Sequence, residues 1–445
     1  MQKTLGITAE VYQERRCELF KKMPNASIAI LPSADQKFRN HDAEYPFRQQ
    51  SDFYYLSGFC ESNSVLVFIK DKMGAEEFIV FNSPQDPEKT IWSGPRLGVQ
   101  GALQVLGANK AYAIHEIDFV MPQLLEDKSE ILYSLGRDQI FDTEISRWLN
   151  TVRAKIRRGV HAPGIFVDLH PFIHELRLRK SVSEIALMRK ACEISALAHN
   201  HLMRACKPGR MEYELEAEFL HECMLKGCRS LAYMSIVGGG ENACTLHYVQ
   251  NDKKLESGDL VLVDAGGEYQ YYAADITRTF PINGRFTADQ KAIYNLVLKA
   301  QLAAIAEVRP GTHWDKLQEV IVSTLVSGLV DLGILKGNIA TLIEEKAYKP
   351  FYMHSSGHWL GLDVHDAGEY KMNGQWRLLE PGMALTVEPG LYFAPNNPNL
   401  DKRWWGIGVR IEDDILVTET GHEVLTETAL KTVEAIEAFM ASTSK

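Results

Sequence analysis

At 445 residues the chain is too long for one ordinary core, and its length points to two or three domains. With 45% hydrophobic and 24% charged residues it has the composition of a globular protein, and 48 Lys+Arg against 58 Asp+Glu give a formal charge of −10. There is no basic block, so nucleic acid and anionic membranes are excluded as expected partners. Met1–Phe20 mixes acidic and basic residues without a continuous apolar core, so no signal peptide is read there. No apolar run approaches the ~18 residues that a membrane span needs. Seven Cys, an odd count without a Cys-x-x-Cys pair, are expected to be reduced thiols of a cytoplasmic protein.

The first element is an amphipathic helix over 8–23, with Thr8 in N-cap position. Strands follow at Ser27–Leu31, Ser64–Ile69 and Glu77–Phe81. Helical patterns near 96–106 and 137–156 flank short strands at 111–114 and 131–134. Strands alternating with helices predict an α/β domain. It is expected to close near residue 172, where Gly159, Pro163, Gly164 and Pro171 interrupt the periodicity. A second domain, 173–445, starts with a capping box, Ser181 with Glu184 three residues on, ahead of a helix running to about 204. After Lys207-Pro208-Gly209 a further helix covers Glu212–Met224.

This second domain echoes itself. Lys207-Pro208-Gly209 returns as Arg309-Pro310-Gly311, and Thr245-Leu246-His247 as Asp363-Val364-His365. The stretch from Leu255 to Asp264-Ala265-Gly266 returns from Leu379 to Glu388-Pro389-Gly390. A carboxylate thus ends an apolar strand in each half, just before a Gly. Asp275 follows Asp264, and Glu412, on the strand-like run Gly408–Val417, is its mate. A hairpin centred between Tyr269 and Gln270 would set Asp264 opposite Asp275. Directly opposed Cβ atoms lie only about 4.5–5.5 Å apart, and like charges there repel. A cation between them would resolve the conflict.

The constellation is therefore Asp264, Asp275, Glu388 and Glu412 with a His from Met353-His354-Ser355-Ser356-Gly357-His358. Four carboxylates and one neutral His carry a charge that two divalent ions would neutralise. An oxygen-rich set favours a hard or borderline ion such as Mn²⁺, with Co²⁺, Fe²⁺ or Zn²⁺ as alternatives. Two ions about 3.5–4 Å apart can share a water, turn it into hydroxide and polarise a carbonyl, which is amide or ester hydrolysis. His354 and His358 stand four apart but do not form a helical zinc motif, because Ser355 takes the place of its Glu and Ser-Ser-Gly is poor helix. Each feature alone has an ordinary reading. Asp before Gly is a turn former, a lone His a core residue, and Glu412-Asp413-Asp414 a solvated acidic patch. Arg410, one alternation before Glu412, would face the same side of its strand.

Taken together, Asp264-Ala265-Gly266, Asp275-Ile276-Thr277-Arg278, His358-Trp359-Leu360-Gly361, Glu388-Pro389-Gly390-Leu391-Tyr392 and Arg410-Ile411-Glu412 resemble the motifs of the pita-bread metallopeptidases, in particular the bacterial Xaa-Pro aminopeptidases. Glu44–Phe59 is similar to their N-terminal domain, so the likeness covers nearly the whole chain. The resemblance implies an α/β N-terminal domain (entrance and oligomerisation) and an α+β pita-bread catalytic domain with a pseudo-two-fold repeat. It implies a dinuclear, usually manganese, site held by Asp264, Asp275, His358, Glu388 and Glu412, with Asp275 and Glu412 bridging. By the same likeness His247 and His365 would sit beside the scissile bond, His354 would shape a proline pocket, and Arg410 would orient the bridging carboxylate. Substrates would be peptides with proline second, and the assembly a dimer or tetramer. Where the family has Gly after His354, this chain has Ser355-Ser356-Gly357, a departure that bears on pocket shape.

The ligand motifs do not separate this activity from a prolidase restricted to Xaa-Pro dipeptides, although Tyr45–Phe59 and Ile91-Trp92 resemble the entrance of the aminopeptidases. A metal-free amidinohydrolase should lack several of the five ligand residues. A non-catalytic binding module of the same fold should lose ligands and gain basic tails.

Overall fold

The structure is a computed structural model, and it describes residues 6–398 and 400–442. The chain divides into two compact units, one of residues 7–177 and the other of Gly6 with the described residues from 178 to 442. No helix among the described residues is long and apolar enough to cross a membrane.

The first unit is built on one six-stranded mixed sheet. Its spatial order is Lys110–Ala113, Glu76–Asn82, Val65–Lys70, Ser27–Pro32, Glu130–Leu132, Ile165–Val167. The strands Ser27–Pro32 and Val65–Lys70 pair antiparallel and are buried almost throughout, so their apolar residues run continuously instead of alternating. Helix Gln139–Arg153 covers one face with Ile145, Trp148, Leu149 and Val152. Asp138 starts that helix by accepting from the N–H groups of Ile140 and Phe141.

In the second unit the capping box at Ser181 and Glu184 is formed, and it opens the helix Val182–Ala205. The internal repeat is legible in matching hydrogen bonds. Gly209 N–H donates to Leu255 O (2.8 Å) in the first half, and Gly311 N–H donates to Leu379 O (2.9 Å) in the second. Each half then places two helices, Val182–Ala205 with Glu212–Leu225 and Ala288–Glu307 with Asp315–Asp331, beside a three-stranded sheet. Those sheets are Ile236–Gly239, Leu260–Asp264, Thr277–Pro281 and Ala384–Val387, Asp413–Val417, His422–Val424. Apolar side chains of both halves meet in one core, from Leu215, Phe219 and Val263 to Ile321, Leu385 and Ile415.

The hairpin expected around Tyr269 exists, but its register differs. Leu260–Asp264 pairs with Thr277–Pro281 so that Asp264 faces Thr277, not Asp275. The turn falls on Gln270–Tyr271, both in the left-handed region (φ 48° and 73°), one residue later than the sequence pattern placed it. Asp275 consequently lies in the break between Tyr272–Ala273 and Thr277–Pro281. The second half repeats the device. The run 408–417 is two strands, Ile407–Arg410 and Asp413–Val417, and Glu412 sits in the break. A carboxylate at a strand break is freed from the two-faced alternation of a continuous ladder and can point along the sheet edge.

Candidate metal centre

His247, Asp264, Asp275, His354, His358, His365, Glu388, Arg410 and Glu412, with Leu246, line a single cavity of about 80 Å³. All nine residues singled out in the sequence are therefore neighbours in space. The tightest subset is Asp275, His358 and Glu412, each offering one donor atom within 4.8 Å of the others.

Local folding explains each position. Asp264 ends a fully buried strand, and Gly266 lets the chain turn away, because a Cβ there would lie 1.7 Å from Ala274 O. Asp275 is fixed through its backbone, whose N–H donates to Asp414 Oδ2 (3.0 Å). The loop bearing His354 and His358 runs beside the strand Ala384–Val387. Thr386 N–H donates to His358 O, Glu388 N–H to Ser356 O (both 2.9 Å), and His358 N–H to Thr386 Oγ1 (3.0 Å). The loop carrying His247 is buckled down by the buried Glu212. Its carboxylate accepts from Gly239 N–H (2.7 Å), Tyr248 hydroxyl and Lys253 N–H (both 2.8 Å). Beside His365, the buried pair Lys180–Asp366 (2.9 Å) and the bond from Asp366 N–H to Trp359 O hold the turn.

Gly357 has no room for a side chain, since a Cβ would meet Thr386 O at 2.0 Å, a backbone atom that cannot swing aside. Gly357→Ala should therefore push His358 off the strand and weaken metal retention by about 10–100-fold, as disturbed support of a ligand does elsewhere. Metal content after dialysis against a chelator series measures it, and retention equal to wild type would refute the account.

The electrostatics fit divalent cations. Without one, burial together with the charges of Asp275, Glu388 and Asp264 drives Glu412 well above the ordinary carboxylate range. Burial likewise pushes Glu388 up to about 7, against the pull of His358 and Arg410. For His358 burial opposes protonation, yet the hydrogen bond and charge of Asp275, with Glu388, carry it up to about 9. The Tyr233 oxygen lies 2.6 Å from Asp264 Oδ1 and 2.5 Å from Asp275 Oδ1, so a single phenolic proton is shared between two carboxylates. Protons are thus standing in for positive charge, the condition under which a carboxylate set takes metal. His358 is already oriented for it. Its Nδ1 faces Trp359 O (3.0 Å), which fixes the proton there and leaves Nε2 toward Asp275 Oδ2 (3.2 Å) and Glu388 Oε1 (3.7 Å).

His354 is a different kind of histidine. Burial and the nearby Arg410 charge push it down to about 3, so the ring is neutral. Its Nδ1 donates to Ser355 O (2.9 Å) and its Nε2 accepts from Tyr392 hydroxyl (2.8 Å). Arg410 differs from expectation. Its direct carboxylate partner is Asp264, and it reaches Glu412 only through Thr277, whose Oγ1 accepts from Arg410 Nε (3.0 Å) and donates to Glu412 Oε2 (2.6 Å). The intervening strand break removes the simple alternation that would have set Arg410 beside Glu412.

Glu412-Asp413-Asp414 is not a solvated patch, for all three residues are buried. Asp413 meets Arg278 and Lys431 (both 2.6 Å), and Asp414 holds the Asp275 backbone. Sequence reasoning also missed Tyr233, Thr277 and Tyr392. The latter two lie inside quoted motifs and could have been found there; Tyr233 carries no sequence signal.

A duplicated α+β scaffold with a buried, cation-demanding carboxylate and histidine set at its centre defines a metallohydrolase. Residues 186–419 match the model of metallopeptidase family M24, and residues 12–133 match the aminopeptidase P N-terminal domain. The chain belongs to metallopeptidase family M24. It is 45% identical over 439 residues to the Xaa-Pro aminopeptidase of Escherichia coli, covering 99% of each chain. The corresponding protein of Haemophilus influenzae is 45% identical over 431 residues, with 97% of each covered. Among solved structures, aminopeptidase PepP of Pseudomonas aeruginosa superposes with a TM-score of 0.97 at 49% identity, covering 99% of each chain. Zinc-substituted E. coli aminopeptidase P in complex with product gives 0.96 at 45% identity, again covering 99% of each.

Proposed function

We propose that the protein is a metal-dependent aminopeptidase that cleaves the bond between an N-terminal residue and a following proline. The observation that carries this reading is the convergence of four carboxylates and the pre-oriented His358 on one cavity. The names of relatives at 45% identity over nearly full length support the specificity. Asp264, Asp275, His358, Glu388 and Glu412 would hold two divalent ions, most suitably Mn²⁺ for an oxygen-rich set, with Co²⁺, Fe²⁺ or Zn²⁺ as alternatives. When bound, these would polarise the scissile carbonyl and acidify a water.

The remaining chemistry belongs to the chain. An Xaa-Pro bond is a tertiary amide with no N–H for alignment and a fixed φ on the proline, so the site must grip the ring and the carbonyl. His354, neutral and tied to Tyr392, offers a rigid apolar-edged wall for the ring. His247 and His365 stand on separate loops at the cavity wall and would hold and move protons at the carbonyl oxygen and the leaving nitrogen. Arg410 locks Asp264 in place from behind. Residues 173–445 would be the catalytic domain and 1–172 the domain for entrance and oligomerisation, in a cytoplasmic dimer or tetramer.

The test is an assay of metal-stripped protein, refilled with Mn²⁺, on Ala-Pro and Ala-Pro-Ala in parallel. Metal-dependent release of alanine from the tripeptide is expected. Cleavage of the dipeptide alone would make the enzyme a prolidase, and cleavage of neither, with metal bound, would overturn a catalytic role.

A further inference from the structure

The N-terminal unit contains a second convergence of metal-ligating side chains, with no residue in common with the first. Asp52 belongs to the helix Ser51–Ser57, and His170 and His174 lie one turn apart on the helix His170–Leu178. Asp52 is buried, 1% exposed, and among the described residues a permanent cation meets one of its oxygens, Arg177 Nη1 at 2.7 Å from Oδ1. Toward the other, Oδ2, both imidazoles present Nε2, His174 at 3.2 Å and His170 at 3.7 Å, beside Gln50 Nε2 at 3.2 Å. The three donor atoms lie within 4.8 Å of one another. Four ligands at the usual ~2.0–2.1 Å around a tetrahedral ion are separated by about 3.3 Å, so the two measured Asp–His spacings already bracket that edge.

Three features favour an ion over a plain hydrogen-bonded triad. One imidazole would satisfy Oδ2, and here two nearly parallel rings, 4.9 Å apart at 20°, are brought to it. Two His at i and i+4 on a helix face present their rings to a single ion. Asp168 Oδ1 lies 3.4 Å from His170 Nδ1, the nitrogen that keeps its proton when Nε2 coordinates. Asp168 is itself held by the Ser134 hydroxyl and by His170 N–H (3.1 Å), which is the carboxylate–histidine support found behind metal ligands. The His side chains remain 14% and 27% exposed, so an ion can enter and a water can take the fourth position.

We infer that Asp52, His170 and His174 form a Zn²⁺ site of the N-terminal unit, separate from the catalytic centre. Two imidazoles and one carboxylate suit a borderline ion, in contrast to the oxygen-rich catalytic set. The ion would staple the helix Ser51–Ser57 to the helix that closes this unit.

Two measurements on the full-length chain test it, with Zn²⁺ alone as the probe. Zinc retained per chain after gel filtration at micromolar free Zn²⁺ is compared between wild type and His170→Gln. Whatever the catalytic centre takes is common to both, so the difference reports this site alone. Wild type should hold one more ion per chain, and equal counts would overturn the inference. In wild type, where no variant has to fold, Zn²⁺ should slow diethyl pyrocarbonate modification of His170 and His174 by at least tenfold, with exposed His161 unchanged. Zinc-independent reactivity of the pair would leave it a hydrogen-bonded clamp and nothing more.

Discussion

Asp275→Asn should abolish metal-dependent turnover, by about a thousandfold or more, while leaving the protein folded. The magnitude follows from what the metals contribute, several kcal/mol of transition-state stabilisation, at 1.36 kcal/mol per factor of ten. Folding should survive because the Asp275 backbone is placed by its N–H bond to Asp414, which the side chain does not affect. The side chain sits among Asp264, Glu388 and Glu412, whose repulsion it adds to when no cation is present. Losing that charge offsets losing the pair with His358, so the metal-free proteins should melt within about 3 °C of each other. Added Mn²⁺ should raise the melting temperature of wild type, since it binds the folded state, and not that of the variant. A variant that retained two metal ions per chain, or wild-type turnover, would refute a role for Asp275 in holding them.

The same residue shows what was legible in the sequence. That Asp264 and Asp275 belong together could be read from an apolar strand ending in one carboxylate and an aromatic segment returning to another. How they come together could not. The expected register put them face to face, whereas the turn at Gln270–Tyr271 shifts the ladder and leaves Asp275 in a strand break. Two left-handed non-Gly residues give no compositional signal, while the neighbouring Gly pair gives a strong and misleading one. The repeat was legible because both halves need the same Gly with positive φ after their Pro, at 209 and 311. Burial of Glu412-Asp413-Asp414 was illegible for a physical reason. Three successive acids look solvated until their long-range partners, Arg278, Lys431, Thr426 and the Asp275 N–H, are in place.

Arg278→Met should destabilise the catalytic unit by about 3–5 kcal/mol, the usual result of removing one partner from a buried ion pair. Arg278 and Asp413 are both fully buried and 2.6 Å apart. The guanidinium also donates to the carbonyls of Glu412 (2.6 Å), Thr277 (2.9 Å), Ala429 and Leu430 (both 3.1 Å), so its loss leaves backbone acceptors unmet as well. A fall in melting temperature on the order of 10 °C is expected at neutral pH. Arg278→Met combined with Asp413→Asn should recover part of it, because the buried carboxylate, then balanced by Lys431 alone, is gone while the carbonyls remain unpaired. The pH dependence has a definite sign. Burial alone would raise the Asp413 carboxyl, but the charges of Arg278 and Lys431 overcome it and hold its folded-state value below 3.8. Its contribution is therefore present above the unfolded value and lost as pH falls through the lower folded one. The gap between wild type and Arg278→Met should be widest near neutrality and narrow below about pH 4 to what the lost carbonyl bonds contribute. A gap independent of pH would mean that the carbonyl bonds, not the ion pair, carry the effect. Since Glu412 O is among those carbonyls, the single variant should also lose metal more readily than wild type, coupling a pair remote from substrate to the carboxylate at the strand break.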